Sequence, residues 1–268
     1  MSNSVNSTIV AEMENNGNLA ATIPERNAPR PYRREHIDLG VLGGMGPQAT
    51  QYFVEELLRS VEVRQKPRHD QEYPNVLVRF ACYLPDRTTA LERNLEPFAE
   101  AFIREANALL DLGCPKIVVP CITAHSVIQP RMAHLPVVDL PRVVAAHLRN
   151  TRPGARVGVL ATRGTRLAGV IDKFVDEGQE VVVLPVQEEK ELMAVIYEKA
   201  KSWQGLNDLS AFGKFADRLR ERKCDVVIAG CTEIEMFLAR GPRDTSDLIF
   251  PLRIVAEEFA ASWKPATA

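Results

Sequence analysis

The chain has 268 residues, of which 46% are hydrophobic, with a formal net charge of −2 and five cysteines. So small a charge gives no electrostatic reason to bind nucleic acid or an anionic membrane, and no apolar run approaches the roughly 18 residues of a membrane span. The odd, unevenly spaced cysteines argue against a secreted disulfide framework and point to a reducing cytoplasm, and the length bounds one or two domains.

Residues 1–36 form a separate zone, rich in Asn, Ser and Glu and then in Pro and Arg through Pro29-Arg30-Pro31-Tyr32-Arg33-Arg34. The zone lacks the basic start and apolar core of a secretory signal and reads as a disordered tail, with a short apolar patch at residues 19–23 suited to docking on the body or a partner. From residue 37 onward strands and helices alternate. Apolar runs predict strands at 37–42, 76–80, 117–119, 137–140, 157–160, 181–184, 226–229 and 248–250. Helical periodicity predicts helices at 50–61, 95–112, 142–149, 167–177, 189–201 and 209–222. This order calls for an α/β fold of mainly parallel sheets with helices on both faces.

The chain repeats itself. Leu39-Gly40-Val41-Leu42-Gly43-Gly44-Met45-Gly46 returns as Val157-Gly158-Val159-Leu160-Ala161-Thr162-Arg163-Gly164, an offset of 118 residues between Gly40 and Gly158. Cys121 and Cys231 are offset by 110, and each is preceded seven positions earlier by a second cysteine, Cys114 and Cys224. Two like α/β units would bring their strand ends together across a cleft, where open parallel sheets bind ligands. Cys121 and Cys231 each end a buried strand and precede a stretch that can open a helix. A thiol there meets the positive end of the helix dipole, which is expected to lower its pKa from about 8.5 and make it a base or nucleophile. Two such thiols facing one another would serve opposite faces of one carbon.

The turn Gly43-Gly44-Met45-Gly46-Pro47 fits neither a dinucleotide fingerprint nor a phosphate-binding Gly-Lys-Ser/Thr loop. It reads either as a tight strand-to-helix turn or as a ligand-contacting nest of backbone N–H groups.

Taken together, Gly43-Gly44-Met45-Gly46-Pro47, Pro85-Asp86-Arg87-Thr88, Pro120-Cys121-Ile122-Thr123-Ala124-His125, Leu160-Ala161-Thr162-Arg163-Gly164-Thr165 and Gly230-Cys231-Thr232-Glu233-Ile234 resemble the aspartate/glutamate racemase family over residues 37–260. The resemblance implies two pseudo-symmetric α/β domains, a first at 37–140 with 246–268 and a second at 141–245, and a homodimer. It also implies a racemase that needs no pyridoxal phosphate or other cofactor, with Cys121 and Cys231 flanking the α-carbon of an amino acid in the interdomain cleft. Met45, Ile122, Thr123, Thr162, Thr165 and Thr232 are implied to line the substrate. Thr123 and Thr232 carry hydroxyls suited to its carboxylate, although Thr232 and Glu235 are also spaced as a capping box. Arg87 is implied to grip a distal carboxylate with its two-pronged guanidinium. Lys201 falls near the position of a second cation, with Lys199 almost as well placed.

His125, four residues after Cys121, has no companion pair with zinc-like spacing; a structural or thiol-tuning role is expected, and no metal. The chain departs from the family at Ile122, where the family has Asn, and at Phe250-Pro251-Leu252, where the family tends to Asp-Pro-Thr. Three readings stay open: an amino-acid racemase or epimerase acting on an acidic or related polar substrate; a maleate-type isomerase or malonate-type decarboxylase of the same plan; and a non-catalytic amino-acid sensor.

Overall fold

The computed structural model describes residues 37–265 except 177, 178, 203, 204, 206 and 243. The tail expected over residues 1–36 lies outside the described residues. The first half opens with β1 (Leu39–Gly43), buried along its whole length. The turn that follows is built on Gly44, at φ +90, where a Cβ would lie 2.6 Å from the Ala81 nitrogen, so only glycine fits. The Thr50 hydroxyl accepts from the Gly44 N–H and donates to the Gly46 carbonyl, each at 3.0 Å. Pro47 then opens α1 (Pro47–Gln65) at a position where its missing N–H costs nothing.

After β2 (Val76–Phe80) come α2 (Arg87–Glu92) and α3 (Glu96–Asp111), whose inner face carries Phe98, Ala99, Phe102, Ala106 and Leu109. The half closes with β3 (Ile117–Val118), a single 3-10 turn at Ile122–Ala124 and α4 (His125–Arg131). The strand expected at 137–140 is reduced to one bridge between Ile117 and Val137. The Asp139 carboxylate accepts from the Arg142 N–H and caps α5 (Leu140–Thr151), with Pro141 in its first turn, so the chain turns helical where an apolar run suggested a strand.

The second half repeats the plan with β4 (Val157–Ala161), α6 (Arg163–Leu167), β5 (Val181–Val183), α7 (Val186–Val195), α8 (Gly213–Glu221), β6 (Val226–Gly230), α9 (Thr232–Arg240), β7 (Leu248–Ile249) and α10 (Pro251–Ser262). The helix expected over 167–177 is interrupted at Gly169, φ +63, and resolves into α6 and a 3-10 turn at Ile171–Phe174. The helix expected over 189–201 is α7 followed by a π-helical turn at Ile196–Ala200.

All strand pairs are parallel, in orders β2-β1-β3 and β5-β4-β6-β7, so each half places its first strand between its second and third. The paired cysteines Cys114 and Cys224 pack behind these first strands. A Cβ on Gly40 would lie 2.9 Å from Cys114 Sγ, and one on Gly158 would lie 3.1 Å from Cys224 Sγ. Near the end of the described residues β7 pairs with β6, while α10 packs on α1 and α5. Among the described residues, no helix is long and apolar enough to cross a membrane.

Candidate active site

The carboxyl ends of the two sheets converge on one small cavity of about 20 Å³, lined by Met45, Arg87, Ile122, Thr123, Thr162, Thr232 and both Cys121 and Cys231, with Asp86, Thr88, Lys201 and Glu233. That space holds about one water, whereas small-molecule pockets run to about 300 Å³ or more.

Cys121 precedes the 3-10 turn at Ile122–Ala124, and Cys231 is the N-cap of α9. Both are buried. The expected lowering of their pKa values is not what the surroundings produce. Burial pushes both thiols up, Cys231 most, because the helix-end effect of about 0.3–1 kcal/mol is small beside the cost of burying a thiolate. Beyond burial, the two sites differ. Arg87, the Ala124 N–H and Lys201 pull Cys121 back toward ionisation, with Glu233 opposing them. At Cys231 the Glu233 carboxylate adds to the upward push, and the Cys231 thiol donates to Glu233 Oε2 at 3.1 Å.

Arg87, at the start of α2, donates from Nη2 to the Met45 carbonyl at 2.9 Å and from Nη1 to the Pro85 carbonyl at 3.2 Å. Those bonds tie the loop after β1 to the loop after β2. Burial works against its charge, but Cys121, Asp86 and Glu233 outweigh it and strengthen the guanidinium's hold on its proton. Asp86 caps α2 through the Thr89 N–H at 2.9 Å. Across the cavity mouth its carboxylate accepts from Tyr197 Oη at 3.0 Å and Lys201 Nζ at 3.2 Å. Burial disfavours its charge, yet the Thr89 N–H, Lys201 and Arg87 prevail and hold Asp86 down at about 2. The π-helical turn before Lys201 presents both Tyr197 and Lys201 to Asp86, with Nζ 4.6 Å from the Tyr197 ring centre. Lys199 is turned away and pairs with Asp208 at 3.6 Å.

Thr123, Thr162 and Thr165 close a triangle of hydroxyls at 3.0, 2.8 and 2.9 Å. Thr162 also caps α6 by accepting from the Thr165 N–H. The triangle forms because α6 runs against α2 with Gly164 at the contact, where a Cβ would lie 2.6 Å from Thr88 Oγ1. Thr232 does not make the expected capping box. It is the first residue of α9, and its hydroxyl donates to Glu233 Oε2 at 3.1 Å, while Glu235 reaches across to accept the Leu252 and Arg253 N–H groups at 2.8 and 3.0 Å at the start of α10.

Ile122 lines the cavity on one side and joins the core on the other. Phe250 and Leu252 are core residues away from the lining. His125 is fully buried, its Nε2 accepting from the Leu140 N–H at 3.1 Å, which leaves Nδ1 to donate to the Cys121 and Ile122 carbonyls at 3.2 Å. Burial keeps it neutral, so the ring braces the backbone of Cys121. Among the described residues, no group of three or more His, Cys, Asp or Glu side chains is placed to hold a metal ion.

Three lining groups, Asp86, Thr88 and Glu233, and Tyr197 beside them carried no assigned role in the sequence. Asp86 and Glu233 lie inside motifs quoted for their neighbours Arg87 and Cys231, and the Asp-Arg-Thr-Thr pattern was itself a readable N-cap signal. Tyr197, which closes the mouth on Asp86, carried no signal.

A family model described as Asp/Glu/Hydantoin racemase matches residues 42–258. The chain is 25% identical over 206 residues to the broad specificity amino-acid racemase RacX of Bacillus subtilis, covering 75% of this chain and 87% of RacX. In fold it is similar to an aspartate racemase homologue from Pyrococcus horikoshii, with TM-score 0.63, 23% identity and coverage of 83% and 96% of the two chains. It is likewise similar to the Picrophilus torridus aspartate racemase, with TM-score 0.67, 21% identity and coverage of 85% and 96%.

Proposed function

The chain belongs to the Asp/Glu/hydantoin racemase family and is an isomerase of that kind, and from this premise we propose that it racemises or epimerises an amino acid by moving the α-hydrogen between Cys121 and Cys231, without pyridoxal phosphate. The observation that carries this reading is that both thiols line one small cavity with Thr123, Thr162, Arg87 and Lys201, the two hydroxyls being bonded behind the lining to Thr165. In one direction the Cys121 thiolate takes the α-hydrogen as a proton, forming S–H as C–H breaks, and the electron pair spreads into the substrate carboxylate. The Cys231 thiol then gives its proton to the opposite face, leaving Cys121 as thiol and Cys231 as thiolate. The other enantiomer reverses the roles.

The charge that develops on the carboxylate needs donors already in place. The Thr123 and Thr162 hydroxyls and the N–H groups at the start of α9 supply them. Arg87 and Lys201 favour an acidic or related polar side chain. Similarity to a broad specificity racemase, together with apolar Ile122, supports a range wider than aspartate alone. Family membership further supports a homodimer, and five free cysteines support a reducing cytoplasm.

The test is incubation of single-enantiomer amino acids in deuterated water, following α-deuteration by mass spectrometry and optical rotation. Exchange with racemisation is expected from the wild type and from neither Cys121→Ala nor Cys231→Ala. Carbon dioxide release or alkene isomerisation would replace this reading, as would saturable binding without exchange.

A further inference from the structure

Glu233 is the least satisfied charged group in the cavity. Its side chain is 4% exposed. Oε2 is engaged twice, by the Cys231 thiol and the Thr232 hydroxyl, each at 3.1 Å. Oε1 is fully buried and has no hydrogen-bond partner. A buried carboxylate oxygen without a donor is strongly unfavourable and marks either strain or a place prepared for a ligand.

The surroundings favour a ligand. The loop facing Oε1 is bare backbone at Gly46, where a Cβ would sit 2.7 Å from Oε1. Neither Arg87 nor Lys201 donates to Oε1: Arg87 holds the Met45 and Pro85 carbonyls and Lys201 pairs with Asp86, each with N–H donors to spare for a substrate side chain. A role confined to orienting Cys231 accounts for Oε2 alone.

We infer that Glu233 Oε1 receives the α-ammonium group of the substrate, so that the site selects free α-amino acids over hydantoins, hydroxy acids and diacids. This rests on the amino-acid reading above and narrows it. An ammonium group is compact, carries three donors and supplies the hydrogen bond that Oε1 lacks. With the carboxylate on the Thr123 and Thr162 hydroxyls and the ammonium on Glu233, two of the four α-carbon substituents are fixed. A third, the side chain, points to Arg87 and Lys201. The fourth, hydrogen, is left to the thiols. Glu233 then acts as a binding residue whose shared contact with Cys231 holds the α-carbon beside that sulfur.

The experiment is calorimetric binding to the full chain, which needs no turnover. The probes are aspartate, its α-hydroxy analogue malate and N-acetylaspartate, and the proteins are the wild type and Glu233→Gln. One charge-assisted hydrogen bond corresponds to roughly ten- to a hundredfold in affinity. The wild type is expected to bind aspartate at least about tenfold more tightly than malate or N-acetylaspartate, and Glu233→Gln to erase that preference while holding malate within about twofold. If Glu233→Gln fails to fold, Glu233→Asp, which withdraws the carboxylate by one methylene, is read in the same way. Equal binding of the three probes by the wild type, or an undiminished preference in the variant, overturns the inference. An ammonium preference without α-hydrogen exchange upholds it and removes the racemase reading; exchange without the preference does the reverse.

Discussion

Replacing Arg87 by lysine keeps the charge and removes the fork. The guanidinium holds the Met45 carbonyl at 2.9 Å with one nitrogen and the Pro85 carbonyl at 3.2 Å with another. A lysine ammonium has three donors but one nitrogen and no planar fork, so it does not reproduce both bonds in this geometry. The carbonyl left without its donor costs about 1–3 kcal/mol, and at about 2–4 °C per kcal/mol for a chain of this size Tm should fall by roughly 2–12 °C. The same change reduces a two-pronged grip on a side-chain carboxylate to one contact. That loss, about 1.5–3 kcal/mol, lowers kcat/KM for acidic amino acids by roughly ten- to a hundredfold, with neutral amino acids affected much less. Thermal melts and chiral chromatography of the reaction read the two effects separately. A variant that melts within about 0.5 kcal/mol of the wild type would show that the carbonyl bonds do not hold the loops. Equal losses on acidic and neutral substrates would remove Arg87 from specificity.

Ile122→Asn places an amide beside Cys121 and should raise aspartate or glutamate turnover relative to larger neutral amino acids by about tenfold, the worth of one new hydrogen bond to a charged group; an unchanged ratio assigns Ile122 to packing alone. Burial pushes Glu235 from an ordinary 4.5 up to about 8, so its protonated form is favoured by folding and the stability it adds is lost as pH rises toward 8. Urea midpoints should therefore fall between about pH 7 and 8, above the range in which neutral His125 acts with the opposite sign, and Glu235→Gln should flatten that fall; parallel slopes in the two proteins would refute it. Lys223 adopts φ +64 where the matching residue of the first half, Gly113, adopts φ +95, so Lys223→Gly should stabilise the chain by up to about 1 kcal/mol in denaturant unfolding, and a loss of stability would show that the strain there is already relieved.

Much of the fold was legible because the core strands are buried on both faces and read as unbroken apolar runs. The strands at 157–161 and 226–230, buried along their length, lie where their sequences placed them to within a residue, and so does the half-buried edge strand at 76–80. The errors fall where a side chain, and not hydrophobic periodicity, decides the backbone. Asp139 caps a helix over an apolar run, and Gly169 breaks one that the pattern had carried through.

At the candidate site the repeat explains both what could be read and what could not. A duplicated motif reports what each half supplies at its own strand ends, which is why Cys121 and Cys231 could be matched from spacing alone. It is silent on the charges around each thiol. Lys201 and Glu233 act on both thiols, but Arg87 acts on Cys121, whereas the Cys231 thiol donates to the carboxylate two residues along its own helix. The latch at the mouth joins Asp86 to Tyr197, 111 residues away, through a π-helical turn that no local pattern announces. Two thiols with equal surroundings would share a proton without preference. Here the backbone is nearly symmetric and the charges are not: burial pushes both thiols up, Arg87 counters it at Cys121 and Glu233 adds to it at Cys231, and the asymmetry belongs to residues that sequence repetition could not reveal.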